Sequence, residues 1–249
     1  MNPWPYPRLV AHRGGGVLAP ENTLAAIRLG QSLGFRAAEF DVKLSRDGVA
    51  FLLHDSTLDR TTSGRGPAGE RAWAELSTLD AGGWLADAFR GEPIPSLDAV
   101  ARALRERGTI ANVEIKPVPG TDRATGRAVA QRCAALWEGA AVAPLLSSFS
   151  FEALLGAREA APDLPRGYIV SSPTDADFGR MEQVGAVSLH FARQHATPGL
   201  IARAHDAGLR VLVWTVNDPP EAERLLALGA DGIITDNLRQ FATRFPELL

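Results

Sequence analysis

The feature that most constrains this chain is an alternation of short β-rich runs with longer helical ones, sustained from Arg8 to Arg244. Arg8–His12 reads as a strand that runs into three glycines. Thr23–Gly30 reads as a helix, with Asn22 or Thr23 as its cap. Arg36–Asp41 is a second strand, and the turn Ser45–Gly48 sends the chain back along Val49–Leu53. Further on, strands are expected at Thr109–Ile115, Pro144–Phe149, Gly167–Val170, Ala186–His190, Arg210–Val216 and Asp231–Thr235. The helices expected between them open at Ser96, Asp122, Phe151, Asp175, Pro198 and Pro219, and Leu238 opens a last one.

With Val49–Leu53 set aside as a hairpin return, eight strands of parallel type remain. Repeating βα units in 249 residues predict one domain over residues 1–249, a (β/α)8 TIM barrel. An open doubly wound sheet is the alternative, but His12-Arg13-Gly14-Gly15-Gly16 is not the G-x-G-x-x-G fingerprint of a dinucleotide fold. Residues 56–95 are rich in Gly, Thr, Pro and Trp and show no sustained period. They are too long for an ordinary connection and read as an insertion or cap after the second strand.

Polar residues gather at the C-terminal ends of these strands, which meet on one face of a barrel. Glu39 and Asp41 are two apart on a strand and so point the same way. Burying two unpaired carboxylates is unfavourable, and a divalent cation relieves it. Glu114 joins them from the next parallel strand, with Lys116 two residues on. Three oxygen donors without cysteine suit one hard ion, Mg²⁺ or Ca²⁺, with Mn²⁺ a third candidate. The competing reading pairs these carboxylates with Lys43, Lys116 or nearby arginines. Lys43 and Lys116 are the only lysines among 26 basic residues.

If Ser45–Gly48 closes a two-residue hairpin, positions summing to about 93 face each other, which sets His54 opposite Glu39. His12 arrives from the first strand. Two histidines beside a cation are candidates for general acid and general base. Arg13 and Lys116 add positive charge suited to a phosphodiester, although Arg13 could equally pair with Glu21 or Glu39. Trp214, at a strand end, is either barrel interior or a surface for the carbon side of a ligand. His195 and His205 have no such support.

Apolar residues make up 45% of the chain, charged residues 22%, and the net charge is −3. That balance fits an ordinary soluble protein and argues against a nucleic-acid partner. The opening MNPWPYPRLV lacks the apolar core of a signal peptide, and no run reaches the ~20 apolar residues of a membrane span. A cytoplasmic protein is expected. Cys133 has no partner for an intrachain disulfide, and the sequence says nothing of oligomeric state.

These residues are carried on an ordered set of motifs. They are AHRG at Ala11–Gly14, PENT at Pro20–Thr23, EFDV at Glu39–Val42, HD at His54–Asp55 and TLDRTT at Thr57–Thr62. EIK at Glu114–Lys116, SSF at Ser147–Phe149, WTVN at Trp214–Asn217 and DGIITD at Asp231–Asp236 follow. With them the chain resembles the glycerophosphodiester phosphodiesterases, most of all the small bacterial cytosolic members. The resemblance implies a barrel with a small insertion after strand two and a metal held by Glu39, Asp41 and Glu114. It implies His12 and His54 as an acid–base pair, Arg13 and Lys116 on phosphate, and Trp214 near glycerol. The implied reaction releases sn-glycerol 3-phosphate and an alcohol such as choline or ethanolamine. Two other readings remain: a phospholipase-D-like enzyme for lysophospholipids, with Trp84, Leu85 and Phe89 forming an apolar mouth, and a barrel that binds metal and phosphate without turnover.

Overall fold

The computed structural model describes residues 4–249; the first residues of the N-terminal stretch read above as lacking a leader lie outside it. The strands run β1 (Leu9–Ala11), β2 (Ala37–Leu44), β3 (Ala50–Leu52), β4 (Ile110–Ile115), β5 (Leu145–Ser148), β6 (Arg166–Val170), β7 (Ser188–Ala192), β8 (Arg210–Trp214) and β9 (Gly232–Thr235). All but β3 pair in parallel, in the order β1-β9-β8-β7-β6-β5-β4-β2, and β1 also pairs with β2. That last pairing closes the sheet into a (β/α)8 barrel, as the alternation predicts, and rules out the open sheet.

Helices cover the outside, and side chains cap their starts. Thr23 accepts from Ala26 N at 3.1 Å, and Ser96, Ser150, Thr197 and Asp218 do the same for later helices. The hydrophobic core lies mainly between helices and barrel wall, with Phe40, Phe191, Leu9 and Ile115 wholly enclosed. No helix among the described residues is long and apolar enough to cross a membrane. Residues 56–95 carry only a four-residue helix (Trp73–Leu76) and two 3₁₀ turns. Leu58, Ala68, Leu76, Ala81 and Ile94 pack there against Phe51 and Leu53, forming a small satellite core.

The hairpin differs from expectation by one residue. Val42 faces Leu52, Lys43 faces Phe51 and Leu44 faces Ala50. Ser45 N donates to Val49 O at 2.9 Å, so the loop has three residues and ends at Gly48, whose φ of +81° is left-handed. His54 is therefore not opposite Glu39. It follows the end of β3, and Leu53 N donates to Asp41 O at 3.1 Å just before it. Other bounds shift modestly: β2 runs on to Leu44, and β7 runs past His190 to Ala192.

Candidate active site

The barrel's C-terminal mouth holds a cavity of about 150 Å³, and all eight side chains singled out in the sequence line it. Glu39 and Asp41 stand on β2, and Glu114 on the adjacent β4. All three are buried, and one oxygen from each lies within 4.8 Å of the others. Lys116 Nζ sits 3.2 Å from Glu114 Oε1 and 3.5 Å from Asp41 Oδ1. Arg13 donates from its backbone N to Glu39 Oε2 at 3.1 Å, and its Nε approaches Asp41 Oδ2 at 3.8 Å. Its Nη1 bonds Glu21 Oε1 at 2.7 Å. Of the two expected salt bridges, the guanidinium makes the one to Glu21, while Glu39 is met by the Arg13 backbone N. Lys43, the other expected counter-ion, is buried and makes no ion pair within 4 Å among the described residues.

Three carboxylates therefore share two cations, one of which is divided with Glu21. Burial, and then the charge of Asp41, push the Glu39 and Glu114 carboxyls above the usual range. Asp41 goes the other way. Burial opposes its charge, but Lys116, His54, Arg13 and the Asn22 hydrogen bond together outweigh it. A divalent ion among these oxygens would relieve the repulsion, and the all-oxygen donor set suits a hard ion.

Each histidine is held by a carboxylate at Nδ1. His12 Nδ1 lies 2.6 Å from Asp236 Oδ1, and His54 Nδ1 lies 2.8 Å from Asp55 Oδ1. Each Nε2 is left for the cavity. Burial disfavours a charge on His12, but Asp236 and Glu39 outweigh it and raise its pKa. For His54 burial wins and the pKa is lowered. Asp55 is in turn gripped by Arg60 from the insertion, at 2.7 Å, and Arg60 reaches Glu21 at 2.7 and 2.8 Å. That bridge ties the His54 and Arg13 sides of the mouth together. Trp214 stands at the rim, edge-on to the exposed Phe149 with ring centroids 5.7 Å apart. His205 is remote and bonds Asp231 at 2.9 Å.

Several site residues escape the sequence reading. PENT reads as a helix opening, and Thr23 does cap that helix. Asn22, however, has a φ of +60° and clamps Asp41, accepting from its backbone N at 2.9 Å and donating to Oδ2 at 2.8 Å. An asparagine just before a capping threonine is the only signal for it. Asp236, Asn217, Asp55 and Arg60 lie within quoted motifs, but nothing local assigns them a partner. Asn112 lines the cavity with no motif at all, and His190 lines it as one of the polar residues expected at the strand ends.

The chain is similar to known proteins over most of its length. The family model described as the glycerophosphoryl diester phosphodiesterase family matches residues 12–240. A glycerophosphodiester phosphodiesterase of Caldanaerobacter subterraneus subsp. tengcongensis is 31% identical over 92% of this chain and 93% of its own. The structure of a phosphodiesterase from Oleispira antarctica, in complex with the product sn-glycerol-3-phosphate, superposes with a TM-score of 0.89 at 33% identity, covering 96% of each chain. A glycerophosphodiester phosphodiesterase from Agrobacterium tumefaciens gives 0.79 at 33% identity, over 95% of this chain and 99% of that one.

Proposed function

Since the chain belongs to the glycerophosphoryl diester phosphodiesterase family, we propose that it hydrolyses small glycerophosphodiesters, such as glycerophosphocholine and glycerophosphoethanolamine, to sn-glycerol 3-phosphate and an alcohol. The observation that carries this reading is the buried triad Glu39, Asp41 and Glu114, closed to within 4.8 Å and flanked by two carboxylate-held histidines. The triad would hold one divalent cation, Mg²⁺, Ca²⁺ or Mn²⁺, which when bound neutralises charge on the phosphodiester. Arg13 and Lys116 bind the remaining phosphate oxygens from either side. His12 and His54 present Nε2 to the cavity. One takes the proton of the attacking water, or of a glycerol 2-hydroxyl whose cyclic phosphate water then opens, and the other returns a proton to the leaving alcohol. The Trp214 and Phe149 rings pack against the substrate's carbon side.

Cavity size supports a small substrate. A cavity of roughly 150 Å³ accommodates benzene, and a glycerol unit has as many heavy atoms as that ring. Trp84, Leu85 and Phe89 do not line the cavity, so the insertion offers an acyl chain no wall there. The test is a comparison of glycerophosphocholine with lysophosphatidylcholine, with added divalent ion. Release of glycerol 3-phosphate and choline from the first, at a higher kcat/KM than any product from the second, is expected. The reverse preference would overturn the assignment.

A further inference from the structure

The barrel sets the chain's only two lysines, Lys43 and Lys116, side by side. The parallel pairing of β2 with β4 runs up to Val42 opposite Ile115, and Lys116 N donates to Val42 O at 2.9 Å, so the next residue on each strand is a lysine. Lys43 follows Glu39 and Asp41 in steps of two, and Lys116 follows Glu114 in the same way. Both therefore leave the face that carries the carboxylate triad.

Their surroundings differ. Lys116 is engaged by Glu114 and Asp41, Arg13 by Glu21 and Asp41, and Arg60 by Glu21 and Asp55. Lys43 is 4% exposed, yet its amine makes no hydrogen bond and no ion pair within 4 Å among the described residues. Nζ is still in touch with solvent, unlike the orphaned nitrogens of Asn112 and His190. The charges that act on it are those of the site: Lys116 repels it, while Asp41, Glu114 and Asp55 attract it. A buried cation beside a second cation, with no carboxylate of its own, is unfavourable in the protein alone and calls for an anion.

We propose that Lys43 is an uncommitted cation that stabilises the second negative charge on phosphate, the one that the diester lacks and that the transition state and the released glycerol 3-phosphate carry. The proposal rests on the hydrolase reading above and adds a residue to it. Lys43 does not line the cavity, so it acts by its field and not by touch.

The sign follows from the chemistry. A phosphodiester carries one negative charge. Deprotonating the nucleophile as it adds to phosphorus brings a second, and the monoester product keeps it. Arg13 and Lys116 are each shared with carboxylates, so part of their charge is already cancelled. The charge of Lys43 is not. Coulomb energy is linear in charge, so an uncommitted cation favours the dianion over the diester, which lowers the barrier. The same cation repels a divalent ion at the triad. Lys43 therefore acts on the two ligands of the site with opposite signs.

The test compares wild type with Lys43→Met, which keeps an apolar stem and deletes the charge, and Lys43→Arg, which keeps the charge. Calorimetry reads Mn²⁺ binding to EDTA-stripped protein. It then reads glycerol 3-phosphate binding to the ion-saturated protein at about pH 8, where the monoester is a dianion. One nearby charge should be worth roughly threefold on a singly charged ligand and so about tenfold on a doubly charged one. Lys43→Met should bind glycerol 3-phosphate about tenfold more weakly and Mn²⁺ about tenfold more tightly, with kcat/KM for glycerophosphocholine down about tenfold. Lys43→Arg should stay near wild type in all three. A structural disturbance would weaken cation and anion binding together, and an inert residue would leave both unchanged; either result overturns the proposal. If Lys43→Met fails to fold, Lys43→Gln carries the same comparison. Wild type that binds Mn²⁺ but releases no glycerol 3-phosphate from glycerophosphocholine would instead remove the hydrolase reading itself.

Discussion

Asp236 presents Oδ1 to His12 Nδ1 at 2.6 Å, from just past the last strand of the barrel to just past the first. This contact exists only because β9 pairs with β1. Asn217 donates to the other Asp236 oxygen at 3.1 Å and fixes the carboxylate in turn. An imidazole held this way has a defined tautomer, and its proton affinity is raised. Replacing Asp236 by Asn should lower the His12 pKa, read from the ring-proton NMR titration, and reduce turnover.

Removing a histidine outright should do more. General acid–base groups contribute ~10²–10⁴, so His12→Ala and His54→Ala should each lose well over a hundredfold in kcat in folded protein. Near-normal turnover in either variant would remove that residue from the chemistry.

Asn22 touches Asp41, not the reacting atoms. Residues that orient metal ligands commonly contribute ~10–100-fold to metal affinity. Because Asn22 has a left-handed backbone, Asn22→Gly deletes the side chain without adding strain. Isothermal titration should show tenfold or weaker divalent-ion binding with little change in thermal stability. Unchanged affinity would mean that the clamp on Asp41 is dispensable.

His190 carries a pH signature of stability. Its folded pKa, about 3, lies below the ordinary 6.5, so the folded protein binds fewer protons than the unfolded chain. The sign follows: its contribution is present above pH 6.5 and is lost as pH falls from 6.5 toward 3. Unfolding in denaturant across that range should show a steeper loss for wild type than for His190→Gln. Parallel curves would mean that His190 is not buried and neutral.

The hairpin offers a test of register. A β-carbon on Gly48 would meet nothing within 4 Å, so Gly48→Ala suffers only from its left-handed backbone. A penalty of ~1 kcal/mol, about 2–4 °C in melting temperature for a chain of this size, is expected. Activity should persist, because the β2–β3 ladder still delivers His54.

The same hairpin shows where sequence reasoning stops. Alternation marks the strands, and the two-residue step from Glu39 to Asp41 marks a shared face; both are local and both can be read. Hairpin register depends on whether the loop has two residues or three, which Ser45-Arg46-Asp47-Gly48 does not declare, so His54 is expected one position away from where it sits. The contacts that orient the site are longer in range. Asp236 meets His12 across the closure of the barrel, and Arg60 joins Asp55 to Glu21 from an aperiodic insertion. Asn112 looks like an ordinary barrel-interior position until closure puts it in one cavity with His190, which the polar strand ends do mark. Periodicity carries no information about pairs that only tertiary closure creates.

The most direct test of the central claim uses protein stripped with EDTA. Divalent ion is added back in steps while ion binding is followed by calorimetry and glycerol 3-phosphate release from glycerophosphocholine is assayed in parallel. The triad of Glu39, Asp41 and Glu114 predicts one ion per chain, turnover that rises with occupancy, and loss of both in Glu114→Gln. Full turnover in EDTA, or unaltered ion binding and activity in Glu114→Gln, would contradict it.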